Sequence, residues 1–141
     1  MIKSKSRWQF LIATLGISAL LGSLSYPTSA SEPGVTANEI KLGITSPTSG
    51  SVGLVYGKIP GAMKAYFDYI NANGGVYGRK IKLVHKDDGY FPIKASDNTR
   101  ALVNENVFAM VGSLGTASVK RAYKSGSLAA KGVPSLFVNT G

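Results

Sequence analysis

Between Ile40 and Val138 the chain alternates four short apolar runs with three stretches of helical spacing. That alternation restricts the fold more than any other feature. Ile40-Lys41-Leu42-Gly43-Ile44 has period two and predicts a first strand. Thr45-Ser46-Pro47-Thr48-Ser49-Gly50-Ser51 is dense in hydroxyls and turn formers, which predicts a loop running to about Tyr56. A helix is expected over Gly57–Asn73, with Pro60 tolerated in its first turn and Ala62, Met63, Tyr66, Tyr69 and Ile70 at helical spacing. Gly74-Gly75 stops it. Lys80–Asp87 reads as a second strand with Ile81, Leu83 and His85 on one face. Pro92 opens a second helix that buries Ala95, Thr99, Leu102 and Val103. Val107–Val111 is the third strand, Thr116–Lys131 the third helix despite Gly126 inside it, and Val133–Val138 the fourth strand.

Strands that alternate with helices pair in parallel through right-handed crossovers. The expected fold class is therefore α/β, an open parallel sheet with helices on both faces. Ligands of such sheets sit beyond the C-terminal ends of the strands. Here those ends are rich in Ser and Thr and poor in charge, which suits a polar small molecule.

One strand end stands out. Val107 to Val111 runs into Gly112-Ser113-Leu114-Gly115, and helical spacing begins at Thr116. A loop that feeds a helix N-terminus gathers unpaired N–H groups and a partial positive charge. Hydroxyls of Ser113, Thr116 and Ser118 add donors. One reading is a site for a carboxylate or similar anion. The other is a plain strand-to-helix turn capped by Ser or Thr.

Catalytic chemistry finds few parts. There is no cysteine and a single histidine, His85, placed mid-strand, so a triad or a zinc site lacks members. Asp87 and Asp88 are adjacent in a strand and point to opposite faces, so they read as strand-end polar groups rather than an acid/base pair. The spacing of Gly112 and Gly115 is neither a dinucleotide fingerprint nor a P-loop. No catalytic residue, metal or cofactor is expected. Tyr66 and Tyr69 are expected in the core of the first helix.

The formal net charge is +9, and Lys3, Lys5 and Arg7 contribute three of the sixteen Lys/Arg. These three precede an apolar run of 15 residues, Phe10 to Leu24, and a polar stretch ending Thr28-Ser29-Ala30. This is the three-part pattern of a secretory signal peptide over residues 1–30, with cleavage near Ala30. A membrane-spanning helix would want about 20 apolar residues. The remaining thirteen Lys/Arg against seven Asp/Glu leave residues 31–141 at +6. Those cations are spread without an aromatic-basic cluster, so they read as solvated surface and no nucleic-acid partner is expected.

At this point the residues resemble a known family. DYINANGGVYGRKIKLVHKDDG resembles the helix-GG-strand signature of branched-chain amino acid type solute-binding proteins of ABC transporters. ITSPTSGSVGLVYG is similar to that family's first ligand loop, and MVGSLGTASV and VPSLFVNTG to its third and fourth strand ends. The resemblance runs from about Ile40 onward. It implies a clamshell receptor in the periplasm that hands a captured amino acid or related carboxylate to an ABC permease in the membrane. It implies a carboxylate held at Ser113, Gly115 and Thr116, polar contacts from Asn139 and Thr140, and an aromatic contact from Tyr56. Family members run to more than twice this length, so the resemblance implies an incomplete lobe of the type I periplasmic binding fold over residues 31–141, as a fragment or truncated product. A secreted α/β enzyme and a non-functional truncated chain are the competing readings.

Overall fold

The computed structural model describes residues 32–140. The expected signal segment, residues 1–30, lies outside the described residues. Nine elements follow one another among the described residues: β1 (Glu39–Ser46), α1 (Gly50–Tyr56), α2 (Ile59–Ala72), β2 (Lys80–Asp87), α3 (Pro92–Asn104), β3 (Ala109–Val111), α4 (Thr116–Lys124), α5 (Ser127–Lys131) and β4 (Ser135–Leu136). The strands form one sheet in the order β2-β1-β3-β4, every pair parallel. β1 lies full length along β2, from Glu39 opposite Lys80 to Ser46 opposite Asp87. It meets β3 at Leu42–Ala109 and Gly43–Met110.

Alternation along the strands assigns the two faces. Gly43 pairs with Val84, and Val84 packs on a core of Leu102, Val103, Val107, Met110, Leu128 and Val133. That face belongs to α3 and α5. The neighbouring residue Ile44 points the other way and meets Met63 of α2 beside Gly112. Helices therefore cover both faces, as the alternation predicts. β1 sends its chain to β2 on one side, while β3 sends its chain to β4 on the other. The ends of β1 and β3 thus frame a topological switch point, where a crevice opens between the diverging loops.

Several boundaries depart from the expected ones. Residues 50–56, expected as loop, form α1, and α2 starts at Ile59 rather than Gly57. The cause is non-local. The Asp87 carboxylate of β2 accepts the N–H of Thr48 at 2.8 Å, the N–H of Ser49 at 3.2 Å and the Ser49 hydroxyl at 2.6 Å. It pins the turn from which α1 starts. The expected third helix is broken into α4 and α5 because Gly126 adopts φ 72, a left-handed turn that a helix interior cannot hold. The fourth strand shrinks to Ser135–Leu136, since Phe137 turns out of the sheet at φ 53. Tyr66 and Tyr69, expected in the core, are 62% and 63% exposed. The stripe of α2 that turns inward is Pro60, Met63, Phe67 and Ile70, rotated by about one residue from the expected one. The two tyrosines stack on each other at the surface instead, with ring centroids 6.5 Å apart.

Candidate functional site

Four strand ends build the site. Beyond β1, α1 delivers Tyr56 at its last residue, 41% exposed. Beyond β2, Asp88 is fully buried and organises the turn. Its Oδ1 accepts the N–H of Tyr90 at 2.8 Å and its Oδ2 accepts the Thr45 hydroxyl at 2.9 Å. Asn98 of α3 donates to Thr45 Oγ1 and to the Asp87 carbonyl. Tyr90 is held at φ 69, a conformation a tyrosine seldom adopts unaided.

Beyond β3, Gly115 is the N-cap of α4 at φ 95. A side chain there would strike the Tyr90 ring, whose Cε2 lies 2.7 Å from where a Cβ would sit. Only glycine lets the tyrosine close over this turn. Beyond β4, Asn139 bridges to Leu114 in parallel. Its N–H donates to the Ser113 carbonyl at 2.9 Å, and its carbonyl accepts the Gly115 N–H at 3.0 Å.

Tyr56, Tyr90, Leu114, Gly115, Thr116 and Asn139 line an open cavity of about 130 Å³. Four of the residues expected at a ligand site, Tyr56, Gly115, Thr116 and Asn139, meet there. Ser113 and Thr140 do not line it. Ser113 is buried and faces an internal space of only about 10 Å³ with Thr45, Thr99 and Ser118, while Thr140 is exposed at the chain surface. Gly115 has a different part from the donor expected of it, since its N–H is engaged by Asn139. The N–H groups of Ala117 and Ser118 have no acceptor among the described residues. They carry the positive end of α4. Thr116 stands one position inside the helix, exposed, so it is not the cap.

Tyr90 was missed by sequence reasoning. Its role depends on a left-handed turn and on a glycine 25 positions away, and neither has a local signature. The adjacent carboxylates behave differently, as their opposite directions require. Asp87 is held well below the usual carboxylate range, first by the Ser49 hydroxyl and then by the Thr48 N–H. Burial pushes Asp88 up, against the hydrogen bonds from Tyr90 and Thr45. His85 is half-buried, with Nε2 3.2 Å from the Ser46 carbonyl. Among the described residues no group of His, Asp and Glu has the geometry to hold a metal ion.

The strand-end loops thus build a crevice at the switch point of a parallel sheet, flanked by two aromatic rings and by a helix N-terminus. The periplasmic binding protein family matches residues 39–141. The chain belongs to that family. It is similar to the Leu/Ile/Val-binding protein of Escherichia coli (strain K12), 34% identical over 88 residues, which is 61% of this chain and 23% of the relative. It is similar in structure to the branched-chain amino acid transporter substrate binding protein of Streptococcus pneumoniae in complex with isoleucine. There the TM-score is 0.63 and the identity 33%, over 73% of this chain and 29% of that one. The fatty acid ABC transporter substrate-binding protein from Thermomonospora curvata gives a TM-score of 0.65 at 33% identity, over 74% of this chain and 27% of that one. The chain thus spans about a quarter of the length of these relatives. The described residues have the parallel sheet of that family, with their loops converging at the switch point.

Proposed function

We propose that this chain contributes one wall of a solute site that captures an amino acid or related small carboxylate for an ABC permease, outside the cytoplasm and without catalysis. One observation carries the reading. Loops from three separate strands bring Tyr56, Thr116 and Asn139 to one cavity at the switch point. The solute carboxylate sits against the N–H groups of Ala117 and Ser118 and the Thr116 hydroxyl, where the helix end and charge-assisted hydrogen bonds favour it. Asn139 contacts the polar head, with Thr140 beside it, and Tyr56 and Tyr90 pack on the rest of the molecule. Ser113 acts from behind, by holding Asn139 through its carbonyl. The solutes named for two relatives, isoleucine and a fatty acid, both carry a carboxylate, which supports an anion-holding turn.

Tyr56, Thr116 and Asn139 are all exposed, so the described residues leave the cavity open on one side. These residues alone are expected to bind leucine with a Kd weaker than about 1 μM, roughly −8 kcal/mol. The decisive test joins residues 32–140 to the remaining part of the Escherichia coli relative and titrates the product with leucine by calorimetry. Thr116→Ala is expected to weaken binding by about 1.5–3 kcal/mol, the worth of a hydrogen bond to a charged group. An unchanged affinity in Thr116→Ala and in Tyr56→Ala would remove the site from this cavity.

A further inference from the structure

The charge of this molecule is not evenly spread. Residues 106–141 contain no acidic residue, while Lys120, Arg121, Lys124 and Lys131 all fall within them. The first three line a groove of about 610 Å³ between α4 and α3, with Arg100 on the opposite wall and Ser96 and Ser125 among the residues between. Arg100 is paired with Asp97 at 3.2 Å. Lys120, Arg121 and Lys124 have no ion-pair partner among the described residues. Arg121 and Lys124 lie in the last turn of α4, where they complement the negative helix end. Lys120 lies a turn earlier and Arg100 on another helix, so helix-end compensation does not account for the cluster.

We propose that the α3–α4 groove is a docking surface for an extended acidic polypeptide segment of a partner protein. It shares no lining residue with the cavity at Thr116, and it does not depend on the solute reading. Its shape and spacing choose the occupant. Lys120 and Lys124 are one helical turn apart, about 5–6 Å. Carboxylates on alternate residues of an extended chain repeat at about 6.6 Å on one face, so successive acids meet successive cations. A concave trough with cations on both walls admits a chain, whereas a membrane surface is met by a flat or convex cationic face. A second copy of this chain would bring the same cations against one another. No aromatic side chain lines the groove, so it offers no stacking platform for nucleic acid bases.

The test uses the full chain and a fluorescent ten-residue peptide of alternating Glu and Ser, read by anisotropy at low salt. A peptide with its five Glu and five Ser in separate blocks controls for charge. Vesicles of equal anionic phosphatidylglycerol and phosphatidylcholine test the membrane. The alternating peptide is expected to bind several-fold tighter than the blocked one, and binding should fall as salt screens the contacts. Lys120→Gln/Arg121→Gln/Lys124→Gln is expected to weaken it by about tenfold or more. Lys58→Gln/Lys80→Gln/Lys131→Gln removes the same charge elsewhere and should change it by less than about twofold. Equal losses in the two triple variants would reduce the effect to net charge and overturn the proposal. So would vesicle binding without peptide binding, or no binding of either probe. The substituted side chains are exposed, and a circular dichroism melt of each variant verifies that the fold is kept.

Discussion

On the α3 side of the sheet, Leu102, Val107 and Met110 are at most 1% exposed and sit in one continuous cluster. On the α2 side, Pro60 is the single buried residue of the helix, and two tyrosines lie out in solvent. Both helices carry apolar residues at helical spacing, yet only one drives its stripe into a closed core. Spacing sets the direction of an apolar face. The depth to which that face is buried depends on what lies against it. α3 has the sheet beneath it and α4 and α5 beside it, while α2 packs mainly along the outer strand β2. Stability should therefore be concentrated on the α3 side, and the α2 side should tolerate change.

The sharpest way to break that contrast is to cut matched side chains on the two faces. Leu102→Ala is expected to cost about 3 kcal/mol, within the range for emptying a filled core site. Met63→Ala, on a half-buried residue, should cost about 1 kcal/mol. Chemical denaturation of the full chain and both variants checks this, and equal losses would show that the faces are equivalent. Next in size is the anchor that joins the faces at the strand ends. Asp87→Ala removes the acceptor for Thr48 and Ser49 and should cost about 1.5–2 kcal/mol. Exchange of the amide hydrogens of residues 48–56 should accelerate in the same variant, because α1 starts from that turn.

The pH dependence separates the two neighbouring carboxylates. Asp87 is lowered by its hydrogen bonds, so its contribution is complete above its ordinary value of 3.8 and disappears as pH falls through the lower folded value. Asp88 is raised by burial, so its ionisation works against the fold. As pH falls from 7 toward 4, the Asp88 contribution should raise stability. Below 4 the loss of the Asp87 anchor should lower it. Denaturation midpoints between pH 2 and 7 should show Asp87→Asn flattening the acid limb and Asp88→Asn flattening the limb above it. An acid limb left unchanged by Asp87→Asn would contradict the pinned turn. The smallest effect is expected at the outer surface of α2. Tyr66→Ala should change stability by less than about 0.5 kcal/mol, and a larger loss in thermal melting would mean that this face is covered.

Much of this architecture could be read along the chain. The period-two run from Ile40 to Ile44, the Gly74-Gly75 stop and the Pro92 start are local signals, and local signals report elements. Their alternation sufficed for a parallel sheet with helices on both faces, and for loops at the strand ends where a ligand would bind. Thr116 was reachable in the same way, as a hydroxyl at one of those ends, whereas Tyr56 and Asn139 were expected only from the family resemblance. Tertiary structure alone decided the rest. The β2-β1-β3-β4 order places the ends of β1 and β3 side by side, because pairing partners are chosen across the chain and not along it. The Asp87 carboxylate, nearly forty residues away, turns an expected loop into α1. Asn139 occupies the Gly115 N–H, so the donors at the end of α4 are those of Ala117 and Ser118. Tyr90 closes over Gly115 only because a buried Asp88 holds its backbone. Each of these depends on a contact between distant segments. A hydrogen bond of that kind forms only after the chain has paid the entropy of bringing them together, and no window of neighbouring residues records it.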